Sequence, residues 1–291
     1  MEIAVLADIH SNYIALDRCM EYALARGIRQ FLFLGDYIGE MAYPERTMER
    51  IYDYAERYHC TFIRGNKEDY WINYRASGAA GWREYDSTTG VLWYVYHRLT
   101  DRDMDFFESL PVSLRMECEG MPPITACHGS PASTRERMGI GEESTKRVLK
   151  QSDTDLILCG HSHIQGKTVH AGKAVVNPGS VGLSLEARAK SQFLILHGEG
   201  GHGVGSWKEE FVSLDYDREA VIRQLSESGL AKRAPGWCKV TEYGLRGPER
   251  ELGHAYVLNR VMELCRKENG RCDWPDIPEK YWDMAIQEFG L

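Results

Sequence analysis

Residues 3–36 read IAVLADIHSNYIALDRCMEYALARGIRQFLFLGD. Two unbroken apolar runs, Ile3 to Ala7 and Phe31 to Leu34, bracket a segment with helical apolar spacing at Ile14, Leu16, Cys19, Met20, Ala23 and Leu24. A strand buried on both faces reads as such a run, and an apolar stripe at three- and four-residue intervals reads as a helix. Gly27 gives that helix its stop. The pattern repeats downstream: Pro44 to Tyr58 predicts a helix with proline in its first turn, and Thr61 to Ile63 a third strand. This β-α-β-α-β order predicts a layered, mixed α/β fold.

The later sequence extends the pattern. Residues 67–110 carry Tyr70, Trp71, Tyr74, Trp82, Tyr85, Trp93, Tyr94, Tyr96, Phe106 and Phe107. They read as helices with a glycine-bearing loop near Gly78 to Gly81. Two roles are open to them: an aromatic packing layer, or a lid whose rings shape access to a site. Strands return at Ser113 to Cys118, Ile124 to Cys127 and Asp155 to Cys159, with a helix over 142–150. A hairpin about Ala171-Gly172 joins Lys167–His170 to Lys173–Val176. Gln192 to Leu196 and Trp207 to Val212 complete the set. Two stacked sheets with helices outside fit this order. The boundary falls near residue 212. Beyond it Arg218–Ser228, His254–Lys267 and Pro278–Phe289 predict a helical extension over 213–291, with Gly236 to Glu249 as a loop. Packing on the core or a contact between copies in a homo-oligomer would account for that extension.

Composition narrows the setting. The 291 residues carry a net charge of −8, which argues against broad nucleic-acid binding. The first apolar run is too short for a signal peptide and no stretch approaches membrane-spanning length. The eight cysteines form no CxxC pair, and several fall in strand-like runs. Reduced thiols in a cytoplasmic protein are the expectation.

Five short motifs carry the chemistry: Asp8-Ile-His10, Gly35-Asp36, Gly65-Asn66, His128-Gly129 and Gly160-His-Ser-His163. Four directly follow apolar runs, which places their polar residues at the carboxyl ends of strands, where open α/β sheets carry ligand sites. An aspartate after so apolar a run as Phe31 to Leu34 needs a partner, because a buried carboxylate is costly unless paired or metal-bound. Asp8 and His10, like His161 and His163, are two apart, and extended backbone would send each pair to one face. Imidazole, carboxylate and amide oxygen together suit Mn, Fe, Ni or Zn. Only two of these ligands are carboxylates, so a pair of dications would keep positive charge for a phosphate. His59, His97, His170, His197, His202 and His254 lack such context.

The ordered set resembles the calcineurin-like metallophosphoesterase superfamily, and within it the small bacterial and archaeal phosphodiesterases. Leu34-Gly-Asp-Tyr-Ile-Gly-Glu40 is similar to their L-G-D-x-V-G-Y-G stretch, and Asn177 to Gly182 matches N-P-G-S-V-G in full. The resemblance spans about residues 1–212. It implies a four-layer α-β-β-α sandwich and two divalent transition metals. Asp8, His10, Asp36 and His163 would hold one; Asp36, Asn66, His128 and His161 the other, with Asp36 bridging. It implies hydrolysis of a small phosphoester or nucleotide, a phosphodiester above all, by in-line attack of a metal-bridging hydroxide. Lys67, Asn66 and His128 are the residues expected to act on the substrate. A Ser/Thr protein phosphatase, a dinucleoside-polyphosphate hydrolase or a non-catalytic scaffold on the same fold are the competing readings. The first lacks its Asp-Arg-Gly motif here, and the scaffold would not be expected to keep every ligand.

The sequence departs from the family pattern at one place. The family's catalytic histidine after the asparagine is Lys67 here. It is expected either to face the phosphate as a poor substitute acid, its pKa depressed by the metals, or to point outward and pair with Glu68 or Asp69. Arg64 is a further candidate phosphate contact. The Asn177 to Gly182 segment implies a tight turn near the metals.

Overall fold

A computed structural model describes residues 1–185, 188–200, 205–247 and 252–291. Five strands make the first sheet: β1 (Glu2–Leu6), β2 (Gln30–Phe33), β3 (His59–Phe62), β9 (Ser191–Glu199) and β10 (Ser206–Leu214). Their order is β10-β9-β1-β2-β3. β1, β2 and β3 run parallel, whereas β9 is antiparallel to both β1 and β10. The second sheet comprises β4 (Ser113–Met116), β5 (Ile124–Cys127), β6 (Leu156–Leu158), β7 (Gly166–His170) and β8 (Lys173–Asn177), in the order β4-β5-β6-β8-β7.

The apolar runs are explained by burial on both faces. Ala4, Leu6, Phe31 and Phe33 point outward into a core shared with α1 (Tyr13–Ala25) and α2 (Pro44–Arg57). Val5, Leu32 and Leu34 point the other way and meet Ala126, Leu158 and Val176 of the second sheet. Cys127, Ile157 and Val175 then face Leu149 on α6 (Glu143–Gln151), which makes the fourth layer. No side of a central strand meets water, so no hydrophobic–polar alternation marks it.

The aromatic segment forms α3 (Asn66–Ala76), α4 (Gly90–Tyr96) and α5 (Asp101–Ser109). Trp71, Tyr94 and Phe107 are buried in the first core, and Tyr74 stacks on Trp82 with centroids 3.6 Å apart. Trp71, Tyr74, Tyr94 and Phe107 are thus spent on packing, whereas Tyr85 is exposed.

The C-terminal region holds α7 (Arg218–Glu227), α8 (Leu230–Arg233), α9 (Pro235–Leu245), α10 (His254–Asn269) and α11 (Glu279–Phe289). The loop expected from Gly236 is therefore wrong as far as Leu245, while Pro248 and Glu249 lie outside the described residues. Pro235 opens α9 at a position where its missing N–H costs nothing. Gly236 is needed there, since a Cβ would lie 2.8 Å from Ser87 Oγ and from the Trp282 ring. Leu225, Leu230 and Cys238 join the first core, and Val240 joins a separate core with Val257, Val261, Tyr281 and Trp282. All eight cysteines are free thiols. Among the described residues no helix is long and apolar enough to cross a membrane.

Candidate metal centre

The polar residues after β1, β2, β3, β5 and β6 meet at one edge of the two sheets. His10 Nε2 lies 3.0 Å from His163 Nε2, and His163 Nε2 lies 3.4 Å from Asp8 Oδ1. His128 Nε2 lies 3.0 Å from Asn66 Oδ1, 3.5 Å from Asp36 Oδ1 and 3.9 Å from Asp8 Oδ1. His10 Nε2 is 3.7 Å from Asp36 Oδ2, so Asp36 presents one oxygen to each histidine group. The His161 ring lies beside that of His128, with centroids 5.1 Å apart. Two sets of donors, Asp8-His10-His163 and Asp8-Asp36-His128, are each close enough to share one ion.

The two-apart pairs converge, but not through extended backbone. Asp8, His10, Asp36, His161 and His163 all have positive φ, from 51° to 68°. Left-handed backbone is uncommon for residues with side chains and concentrates where a site over-determines it. β1, β2 and β6 therefore each end in a sharp twist that turns the ligand inward.

Hydrogen bonds fix which imidazole nitrogen faces the centre. His128 Nδ1 donates to the Leu34 carbonyl at 2.7 Å, and His163 Nδ1 to the Leu183 carbonyl at 2.6 Å. The Nε2 lone pairs are thereby aimed at the carboxylates, the usual arrangement for metal-binding histidines. Burial, then the neighbouring His163 and Lys67, hold His10 well below the ordinary imidazole range. Burial and His128 bring His161 down to about 4. Burial also pushes Asp36 up, opposed by His128 and reinforced by Asp8. Imidazoles crowded around two buried carboxylates are a donor set that a cation completes. Two nitrogens each about 2.0–2.1 Å from one ion sit about 3 Å apart when they subtend a right angle, which suits His10 and His163. The residues fit a divalent metal.

A sequence model of the calcineurin-like phosphoesterase superfamily domain matches residues 1–201. The chain belongs to that superfamily. It is 27% identical over 252 residues to the uncharacterized protein MJ0912 of Methanocaldococcus jannaschii, covering 81% of this chain and 94% of that one. Two solved structures share the fold, each at 20% identity. A hypothetical protein, PH1004, from Pyrococcus horikoshii OT3 has a TM-score of 0.68 with 82% of this chain and 96% of that one covered. A metallophosphoesterase from Sphaerobacter thermophilus has a TM-score of 0.59 with 79% and 95% covered. The mixed α/β sandwich and the phosphoesterase family thus agree with the reading of the sequence. At the level of the superfamily, divalent metals are the expected ligands of this donor set.

Two further elements brace the candidate centre. Glu68 turns inward, and its carboxylate accepts from the N–H groups of Gly65, Asp36 and Tyr37 at 2.7, 2.9 and 3.0 Å. It ties the Asp36 loop to the first turn of α3. The Asn177 to Gly182 turn does the same for the other loops. Asn177 Nδ2 donates to the Gly160 carbonyl at 2.6 Å, and Ser180 Oγ to the Asp8 carbonyl at 2.8 Å.

Lys67 lines the same cleft as the candidate ligands. Its ammonium pairs with Glu40, not with Glu68 or Asp69. Burial would lower its pKa, but Glu40 and Asp36 together more than offset this and hold the ammonium charged. Glu40 in turn accepts a hydrogen bond from Trp237 Nε1 at 2.7 Å. Arg64 is also displaced from its expected role: its Nε lies 3.3 Å from Asp69 Oδ1, and it does not line the cleft. Glu40 and Trp237 were missed at the sequence level. The available signal was Glu40 itself, an acid where the family stretch has an uncharged tyrosine, matched by a lysine where the family has histidine.

The centre opens into a cleft of about 310 Å³. His10, Asp36, Asn66, His161 and His163 line one side, and Lys67 and Glu40 its rim. The opposite wall comes from Leu183, Leu185 and the C-terminal helices, through Trp237, His254 and Leu258. Among the described residues, none from 70–107 lines it.

Proposed function

We propose that this chain is a metal-dependent phosphoesterase that hydrolyses phosphodiesters, with two divalent transition metals drawn from Mn, Fe, Ni or Zn. One observation carries the reading: seven donor side chains from both sheets converge, five of them lining one cleft with Asp8 and His128 buried behind them. Asp8, His10, Asp36 and His163 would hold one ion; Asp36, Asn66, His128 and His161 the other. When bound, the pair supplies Lewis acidity toward phosphoryl oxygens and acidifies water. The chain's own residues do the rest. Asp36 spans the two donor groups. His128 and His163, pinned by backbone carbonyls, keep their lone pairs on the centre. Asn66 offers a neutral oxygen there, which leaves the centre more electropositive than a third carboxylate would.

The preference for diesters comes from Lys67. A lysine whose proton is engaged by Glu40 is a poor acid for a departing alkoxide. Esters whose leaving groups need little protonation are therefore favoured. Loading purified protein with Mn²⁺ and assaying bis(p-nitrophenyl) phosphate against p-nitrophenyl phosphate tests this. Turnover of the diester should exceed that of the monoester. Metal binding without turnover of either would favour a scaffold that kept its ligands.

A further inference from the structure

The cleft has two unlike walls, and the mechanism above uses only one. The second wall is built by residues far beyond the metal ligands in sequence. Trp237 lies on α9 and His254 opens α10. Their rings stack with centroids 4.4 Å apart and planes 22° from parallel. Both are held in place. Trp237 Nε1 is hydrogen-bonded to Glu40, and His254 Nε2 lies 2.9 Å from Thr241 Oγ1. Leu183, Leu185 and Leu258 complete the wall.

Among the described residues, the wall lacks a free charge. Glu40 is engaged by both Lys67 and Trp237. Burial chiefly, opposed by Glu40 and assisted by Lys67, brings His254 down to about 4, so the ring is neutral near pH 7. Among the described residues that line the cleft, a second phosphate would find no cation beyond the already paired Lys67. A planar or apolar group would meet two rigid rings and aliphatic side chains, which is the usual make-up of a pocket for an organic ligand.

We infer that Trp237 and His254 form a subsite that binds a neutral, planar organic group on the substrate phosphate, so that the C-terminal helices set specificity. The inference rests on the phosphoesterase reading for its phosphate, and it excludes polyphosphate chains as preferred ligands. Trp237 and His254 are specificity residues here; neither is placed at the reacting phosphorus.

The test compares ligands that differ only in the organic group. Calorimetry on metal-loaded protein measures phenylphosphonate against methylphosphonate. Phenylphosphonate should bind more tightly, and His254→Ala and Trp237→Leu should each reduce that preference by about threefold to tenfold, the worth of one ring contact. His254→Phe, which restores a ring, should recover it. Metal content should stay at the wild-type level in all three, which separates a lost subsite from a damaged centre. Kinetics add a second readout. Bis(p-nitrophenyl) phosphate and methyl p-nitrophenyl phosphate share a leaving group, so the variants should lower their kcat/KM ratio through KM. Equal binding of the two phosphonates by the wild-type protein would overturn the inference, as would a preference that survives both ring deletions. If neither diester turns over but the phenyl preference is present and falls in the variants, the phosphoesterase reading fails and the subsite stands. If both diesters turn over with an unchanged ratio, the subsite fails and the phosphoesterase reading stands.

Discussion

Asp36 stands between the two donor groups and also accepts the Lys67 backbone N–H at 2.8 Å through Oδ1. An asparagine can keep that hydrogen bond while losing the charge. Asp36→Asn should therefore fold, bind less metal and lose diesterase activity together; elemental analysis of the purified protein reads the first effect. Full metal content and turnover in a folded variant would remove the bridging role. The Lys67–Glu40 pair makes a different prediction. Breaking a buried pair from one side leaves an uncompensated charge and typically costs about 3–5 kcal/mol. Glu40→Gln should lose stability on that scale in urea unfolding, and adding Lys67→Met should recover much of it. Rates of Lys67→Met plotted against leaving-group pKa should keep the wild-type slope, because the ammonium braces the rim without donating a proton. A steeper slope would restore Lys67 as an acid.

At the level of elements, the first turn of α3 is the most demanding piece of the site. Gly65 passes so close to the β2 loop that a Cβ would stand 2.3 Å from Asp36 N and Oδ1. Glu68 then fastens the two segments by three backbone hydrogen bonds. Glu68→Gln offers one acceptor oxygen where two are used, and a buried N–H left unpaired costs about 1–3 kcal/mol. The urea midpoint should fall accordingly, with metal affinity falling alongside because Asp36 is no longer held. Unchanged metal affinity would make Glu68 a purely structural tie. The strands that carry the ligands were legible because runs such as Phe31 to Leu34 are apolar on both faces. The helix at Pro235 to Leu245 was not, because two glycines and the absence of a side-chain cap disguise it, and only packing against Ser87 and Trp282 explains it. The left-handed backbone at the ligands was equally hidden: Asp8 and His10 look like ordinary strand-end residues until the loops of two sheets are brought together. The partnership of Glu40 with Lys67 and Trp237 is closed by tertiary contact alone.

The whole molecule joins these pieces, and its stability should report on both the centre and the C-terminal helices. Metal binding selects the folded state, and ligand at about a thousandfold above its dissociation constant adds about 4 kcal/mol. Chelation should lower the thermal midpoint and added Mn²⁺ should restore it; an indifferent midpoint would argue against a metal in the native protein. His254 gives a pH signature. Its folded-state pKa, about 4, lies below the ordinary value of 6.5, so between those values the unfolded chain binds more protons. Its contribution is complete above about pH 6.5 and is lost as pH falls toward 4. Glu40, Lys67 and His163 are the charged or titratable groups facing it. Across that window His254→Phe should lose stability less steeply than the wild-type protein, and parallel curves would show the ring to be unburied.

The strand order carries a last consequence. β1 lies between β2, which follows it by one helix, and β9, which arrives only at Ser191 to Glu199. Val5 must wait for Leu194 before its second edge is paired. On a ribosome the first ligand pair, Asp8 and His10, leaves the exit tunnel long before His161 and His163. The nascent chain thus carries half a chelating site, mounted on a half-zipped sheet, through most of its synthesis. Pairings so distant along the chain favour slow folding, and a metal that needs both ligand pairs would be captured at completion, not at nucleation.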